Sequence, residues 1–359
     1  MSCDFETIKN RFTLNKDNDK RIGFTTSIPV EVIIAAGFIP LDLNNIFINH
    51  LNKEKLVEFA EEAGFPRNTC SWIKGIYATA LKLKIKRIIG VTQGDCSNTH
   101  ALMETWKLKG LEIIPFSYPY GRDEKQLKYE ISKLIEYFGI TWAQVKKVKQ
   151  RLDKIRRLLV RLDELTWKEG RISGFINQLY LVSSSDFNGS YEQFEEKLTQ
   201  FLDIAKKSPK IYNTTMKSGP LPRIAYIGVP PIFSDFYLFL EGLGVHVVYN
   251  EIQRQFSMPY LKQDITKQYS SFSYPYGAFF RLKDIKKELK RRKIDGVIHY
   301  TQSFCFRQIE DLVFRHEIGL PFLNIEGARP GNLDARTKLR IESFVEMLYE
   351  RRQKRVDYL

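Results

Sequence analysis

Thr92-Gln93-Gly94-Asp95-Cys96 and Thr301-Gln302-Ser303-Phe304-Cys305 are two writings of one phrase, Thr-Gln-x-x-Cys. Each closes an apolar run, Ile88-Ile89-Gly90-Val91 in the first case and Gly296-Val297-Ile298 in the second. Short continuous runs of this kind form strands buried on both faces. A basic segment precedes each run, and a helical pattern follows each cysteine. Two cysteines are therefore expected at the carboxyl ends of two equivalent strands, facing one another across a cleft. In open α/β sheets that edge is where ligands bind.

Outward from the first phrase, the chain opens its α/β pattern at Arg21-Ile22-Gly23-Phe24, which reads as a strand. Ser27 is placed to cap a following helix, Pro29 suits its first turn, and Glu31 lies near the positive end of its dipole. Gly37 ends that helix and Phe38-Ile39-Pro40-Leu41 begins the next strand. Strand, helix and strand in quick succession start a parallel sheet. Lys53 to Gly64 is helical, and Cys70 stands just before a helical pattern that begins at Ser71. There the exposed backbone N–H groups of a helix start would lower a thiol's pKa. Leu111-Glu112-Ile113-Ile114-Pro115 is one more short strand.

Outward from the second phrase, Arg223 to Gly228, Phe236 to Gly244, Val245 to Tyr249, Asp295 to Ile298 and Leu320 to Glu326 repeat the first half's order of elements. The expected organisation is a first α/β lobe over 1–122, a helical insert over 123–206, a Pro- and Gly-punctuated linker over 207–222, and a second lobe with a terminal helix over 223–359. Within the insert, Val145, Val148, Leu152, Ile155, Leu159 and Leu162 form a narrow apolar seam, flanked by Lys146, Lys147, Lys149, Arg151, Lys154, Arg156, Arg157 and Arg161. A seam packed on a neighbour with its charges in water accounts for this pattern. A polyanion-binding face would want aromatic residues interleaved for stacking, and none are there. Ser-Tyr-Pro-Tyr-Gly also occurs twice, at 117–121 and 273–277, out of step with the repeat. It reads as a turn and, secondarily, as a ligand-contacting loop.

At 359 residues, with 43% hydrophobic and 27% charged side chains, the chain has the composition of a globular protein of two domains. The first residues lack a signal-peptide pattern, and the apolar stretch from Val30 to Leu43 is too short and too interrupted to span a bilayer. A cytoplasmic protein without membrane contact is expected. The net charge of +14 allows an anionic cofactor, an acidic partner or a solvated surface, with nucleic acid last among the readings.

Four cysteines, Cys3, Cys70, Cys96 and Cys305, are too widely spread for a disulfide framework, and no C-x-x-C pair is present. Five histidines, none in a ligand pair, give zinc little to bind. A lone cysteine is usually a small buried apolar residue. Cys70, Cys96 and Cys305, however, each fall at an element's end on what should be one functional edge. Three thiolates suit a cubane iron–sulfur cluster with one iron lacking a cysteine, hence open to water or substrate. Cys3, in a polar terminus, is read as a bystander.

Several stretches resemble the 2-hydroxyacyl-CoA dehydratases, a family that includes benzoyl-CoA reductase subunits and double-cubane cluster proteins. They are Ile22-Gly23 through Ser27-Ile28-Pro29-Val30-Glu31 to Ala35-Ala36-Gly37-Phe38-Ile39-Pro40, Asp295-Gly296-Val297-Ile298 through Cys305 to Leu320-Pro321 and Glu326, and Asp334-Ala335-Arg336-Thr337-Lys338-Leu339-Arg340-Ile341-Glu342-Ser343-Phe344. The resemblance, of the D-component type, implies two flavodoxin-like parallel-sheet lobes and one [4Fe-4S] cluster, with Cys70, Cys96 and Cys305 as its ligands. It implies a second family subunit, identical or not, and a separate ATP-hydrolysing iron–sulfur activator. It also implies radical (ketyl) elimination of water from a 2-hydroxyacyl-CoA. Glu31 and Ser27 would then be base and hydrogen-bond donor. Ser97 follows Cys96 where many members carry Cys-Asp, and only Cys3 remains beyond the three ligands, so a single cubane is expected. Lys74, Arg122 and Arg307 are read either as contacts for CoA phosphates or as plain surface charges, unranked. Two other readings stay open: a non-catalytic electron-transfer subunit, and an iron–sulfur reductase of a small molecule without CoA.

Overall fold

A computed structural model describes residues 20–211 and 221–357. Cys3 and most of the expected linker, 212–220, lie outside the described residues. The chain runs through β1 (Arg21–Phe24), α1 (Val30–Ala35), β2 (Ile39–Asp42), α2 (Leu43–Asn49), α3 (Lys53–Glu62), α4 (Ser71–Lys82), β3 (Arg87–Gln93), α5 (Asn98–Leu108) and β4 (Glu112–Ser117). Helices follow: α6 (Glu124–Tyr137), α7 (Trp142–Trp167), α8 (Gly174–Ser183), a 3-10 turn at Phe187–Gly189, and α9 (Tyr191–Lys207). Then come β5 (Arg223–Ile227), α10 (Phe236–Gly242), β6 (His246–Asn250), α11 (Glu251–Phe256), α12 (Ile265–Ser271) and α13 (Ala278–Arg291). The chain ends with β7 (Gly296–Gln302), a 3-10 turn at Phe306–Ile309, α14 (Glu310–Glu317), β8 (Phe322–Gly327) and α15 (Ala335–Asp357).

Two sheets form, ordered β2-β1-β3-β4 and β6-β5-β7-β8, with every pairing parallel. Both therefore follow the order 2-1-3-4 of flavodoxin-like sheets, in which the strand order reverses between the first and third strands. The repeat seen in the sequence is thus a repeat of topology. The fold is α/β, two parallel-sheet lobes with flanking helices. By compactness the chain divides into two units. The first comprises residues through Ile155 with Ser183–Phe194 and Tyr260–Tyr276, and the second comprises Arg156–Val182, Glu195–Pro259 and the chain from Gly277 onward.

In the first unit β1 is buried along its whole length, as a central strand covered on both faces must be. Ala36 ends α1 and Gly37 follows with φ 78°, the left-handed conformation that stops a helix. α2, which the sequence pattern did not reveal, starts because the Asp42 carboxylate accepts the N–H groups of Asn44 and Asn45. On α7 the seam residues Val145, Leu152 and Ile155 are buried, as their period requires, but so is Lys149. Its ammonium is not in water: it donates to Asp153 at 2.6 Å and to the carbonyl of Lys262 at 2.5 Å.

In the second unit Ala225, Ile227, Val248, Ile285, Val297 and Phe314 pack as one apolar core. Beside it lies a buried ionic cluster. Arg292 donates two bonds to Asp163 and one to Glu288, while Arg254 bonds Asp284 at 3.0 Å. Burial alone would neutralise these carboxylates, yet the guanidinium groups hold Asp163 and Glu288 below their ordinary values. Such pairs specify an arrangement more than they stabilise it, because each charge has given up its water.

Candidate functional site

At the carboxyl edge of the first sheet, the loops after β1 and β3 flank the strand-order reversal, the crevice where such sheets take ligands. The loop after β1 carries Thr25, Thr26 and Ser27, and the loop after β3 carries Gly94, Asp95 and Cys96. Thr25 ties the two together: its hydroxyl accepts the N–H of Val91 at 3.0 Å, and its own N–H donates to the carbonyl of Ile89. Crossover helices run antiparallel to the strands, so α4 begins at this edge, and Cys70 is its N-terminal flanking residue. Ser27, Cys70 and Cys96 therefore share one edge of one sheet.

Ser27 does not cap α1. The cap position falls at Pro29 and no side chain bonds the helix start, because Ser27 is two residues too early. Its hydroxyl is buried with no hydrogen-bond partner among the described residues. Its carbonyl instead accepts the hydroxyl of Tyr118 at 2.7 Å. Glu31, in the first turn of α1, is fully buried, and the Tyr269 hydroxyl donates to its Oε2 at 2.8 Å. Burial pushes the Tyr118 phenol well above its usual range, reinforced by Tyr269, Tyr276, Glu31 and Asp95, so Tyr118 remains a donor at any ordinary pH.

The two Ser-Tyr-Pro-Tyr-Gly segments meet here. The rings of Tyr118 and Tyr276 lie edge to face, 6.1 Å apart. Arg122 stacks over Tyr276 and donates twice to the carbonyl of Ser270. Gly94, at φ 90°, sits beneath both segments: a Cβ there would come within 2.8 Å of the Cβ atoms of Pro275 and Tyr118. Gly94→Ala combines a backbone conformation unsuited to an L side chain with overpacking. It should cost about 2–4 kcal/mol in chemical denaturation. A loss below about 1 kcal/mol would contradict this close approach.

Lys74, read from sequence either as a phosphate contact or as a surface charge, is buried and bonds Glu61 at 2.8 Å and the carbonyl of Arg67. Arg122 is held as described, and Arg307 bonds Glu310 at 3.1 Å. Lys74 and Arg307 are thus engaged by carboxylates, and Arg122 by a backbone carbonyl.

Sequence reasoning also missed a carboxylate pair at this edge. Asp186 accepts the backbone N–H of Asp42 at 2.8 Å and the amide of Asn45 at 2.9 Å. Burial first, and then the Asp42 charge, pushes Asp186 up to about 7. Asp42 is also raised, by burial working against the hydrogen bonds it accepts. Only the burial of residue 186 in the fold creates this pair, and nothing in the local sequence signals it. A raised carboxylate stabilises the fold fully below its unfolded pKa of about 4, and that contribution is lost as pH rises through about 7. Asp42→Asn keeps an oxygen for the α2 cap and removes the charge beside Asp186. Its stability relative to the parent should rise by about 1–2 kcal/mol between pH 5 and 8 in urea titrations. A pH-independent difference would contradict the pairing.

In the second sheet, Cys305 follows β7 as Cys96 follows β3, and it flanks the start of the 3-10 turn at Phe306. Phe304 before it adopts φ 63°, unusual for a bulky side chain, and stands largely exposed. The loop is fixed from several sides: Ser303 donates to Glu326 at 2.6 Å, Gln302 donates to the carbonyl of Ala328 at 3.0 Å, and the Tyr300 hydroxyl donates to Gln302 at 2.8 Å.

Cys70, Cys96 and Cys305 are thiols, not disulfide partners. Cys70 and Cys96 stand at the starts of α4 and α5, and Cys305 stands before the four-residue 3-10 turn at Phe306. Cys70 is buried; Cys96 and Cys305 are half-buried. Their donor chemistry fits an iron–sulfur cluster. Among the described residues, no three His, Cys, Asp or Glu side chains gather as they would around a single metal ion. The thiolates of a cubane attach to separate irons and need not meet at one point. Among the described residues, no helix is long and apolar enough to cross a membrane.

Two flavodoxin-like sheets, each with a free cysteine after its third strand, define a class of two-lobed α/β proteins with thiols at the sheet edges. The chain belongs to the family described as 2-hydroxyglutaryl-CoA dehydratase, D-component, which it matches over residues 25–348. No curated protein matches the chain.

Proposed function

We propose that this chain is a cluster-bearing subunit of a 2-hydroxyacyl-CoA dehydratase, with Cys70, Cys96 and Cys305 as ligands of one [4Fe-4S] cluster. Family membership across residues 25–348 carries this reading. The three thiols at helical starts support the ligand assignment. When bound, such a cluster supplies a low-potential electron and an iron with an open coordination position.

The chain's own residues would do the rest. Ser27 brings a buried hydroxyl whose position is fixed through its backbone by Tyr118. That hydroxyl is suited to bond a thioester oxygen. Glu31 would take the β-proton, with Tyr269 orienting its carboxylate. The buried rings of Tyr118, Phe272 and Tyr276, in contact with one another through Tyr118, would help keep water from a reactive intermediate. A second family subunit and an ATP-hydrolysing iron–sulfur activator complete the reading. The test is anaerobic turnover of a panel of 2-hydroxyacyl-CoAs with the activator and ATP. Dehydration of at least one supports an enzyme. Cluster reduction with no turnover across the panel would overturn it.

One observation favours the carrier reading. Glu31 is fully buried and bonded by Tyr269, so a substrate reaches it only if the packing around it opens. An electron-transfer subunit needs no such movement.

A further inference from the structure

We propose that Arg281 is the positioning residue of the Cys305 loop, joining the three carboxyl-edge segments of the second sheet into one charged frame. Arg281 projects from α13 and is almost completely buried. Its Nε and one terminal nitrogen donate to the two oxygens of Glu251 at 3.0 and 2.8 Å, a planar two-point match. Its other terminal nitrogen donates to Glu310 Oε2. The guanidinium also lies 4.8 Å from the ring of Phe314 on α14.

Each carboxylate reaches further. Glu251, the first residue of α11, accepts the N–H of Gly228 at 3.2 Å, in the turn after β5. That turn is closely packed: at φ 108°, a Cβ on Gly228 would come within 2.2 Å of the carbonyl oxygen of Tyr300. Glu310, the first residue of α14, accepts Arg307 at 3.1 Å, two residues beyond Cys305. Gly228, Glu251 and Glu310 thus come after β5, β6 and β7 respectively, and Arg281 connects them all. The turn after β5 and the loop after β7 flank this sheet's strand-order reversal. Both walls of that crevice are pinned through one side chain.

A framework of this kind costs stability, since two carboxylates and two guanidiniums leave water to make it. Its return is geometric. A thiol meant to meet an iron must be held to a fraction of an ångström, and side chains that orient ligands govern metal affinity by about 10–100-fold. Lysine would not substitute, because an ammonium cannot hold Glu251 at two points and Glu310 at once.

The positioning claim stands on geometry; its consequence for iron rests on the reading of Cys305 as a cluster ligand. The test uses the full chain, in the apo form, with amide hydrogen exchange followed across residues 303–309. Glu310→Ala removes the link from Arg281 to the loop at a carboxylate with some solvent access. Losing a charged hydrogen bond there should speed exchange at 303–309 by roughly 10–100-fold, leaving α11 and α13 unchanged. After anaerobic reconstitution, a chelator should strip iron from this variant about 10-fold faster than from the parent. Arg281→Met should show the same local effect, with Arg281→Lys failing to restore it; Glu310→Ala decides alone if the Met variant does not fold. Unchanged exchange at 303–309 in folded Glu310→Ala, or a uniform increase across the second unit, would overturn the proposal. If the parent takes up no iron, the cluster reading falls, and exchange still decides the positioning role.

Discussion

Cys70→Ala, Cys96→Ala and Cys305→Ala should each reduce reconstituted iron from about four per chain to near zero, whereas Cys3→Ala should leave it intact. The asymmetry follows from position. Three of the thiols stand at helical starts on sheet carboxyl edges, and Cys3 precedes the first strand by many residues. A cubane with only three protein thiolates already has one iron without a cysteine, so losing a second thiolate removes its remaining redundancy. None of the substitutions should unfold the chain. Cys70 is the most buried of the three, and its truncation removes one sulfur from a packed site, a cost of about 1 kcal/mol. Iron analysis and thermal unfolding on the same samples separate the two effects. Equal iron retention in all four variants would contradict the ligand assignment.

Glu31→Gln should lower turnover by about 10²–10⁴-fold with little change in the unfolding midpoint. The amide keeps an oxygen for the Tyr269 hydroxyl, so the tie between α1 and α12 survives. What disappears is the capacity to accept a proton. A tether without chemical work would behave oppositely, with turnover following the folded fraction. Tyr269→Phe completes the comparison: it removes the hydrogen bond that orients Glu31 and should lower kcat while leaving the carboxylate in place. If Glu31→Gln turns over like the parent, Glu31 is only a tether.

The strands were legible because their apolar runs are continuous and end on sharp punctuation. Gly37 and the two Thr-Gln-x-x-Cys phrases mark turns that the backbone takes as expected. The order of strands within each sheet was not readable from local residues, and came instead from the resemblance. Short helices were lost for a physical reason. α11 and α12 have six and seven residues, too few to display a period, and they form through tertiary contacts. Composition likewise hid Lys149 and Arg156, whose heads are buried although the pattern put them in water. The Ser-Tyr-Pro-Tyr-Gly pair looked like two turns. Their packing over Gly94 depends on residues 260–276 joining the first unit, a long-range event without local signature.

The sequence put Cys70, Cys96 and Cys305 at element ends, and that placement is what the structure shows. Ser27 was read both as a helix cap and, through the resemblance, as a hydrogen-bond donor; it does not make the cap, its hydroxyl is buried, and its carbonyl is bonded by Tyr118. Tyr269, Asp186 and Arg281 were invisible beforehand, because each matters only through a partner distant in sequence.

The central claim is that this chain holds one four-iron cluster through three thiolates. Anaerobic expression and reconstitution of the full chain, followed by iron and sulfide analysis and EPR of the reduced protein, addresses it directly. The account predicts about four irons and four sulfides per chain, with the low-temperature signal of a reduced cubane. Well-folded protein with less than about one iron per chain after repeated reconstitution would contradict it.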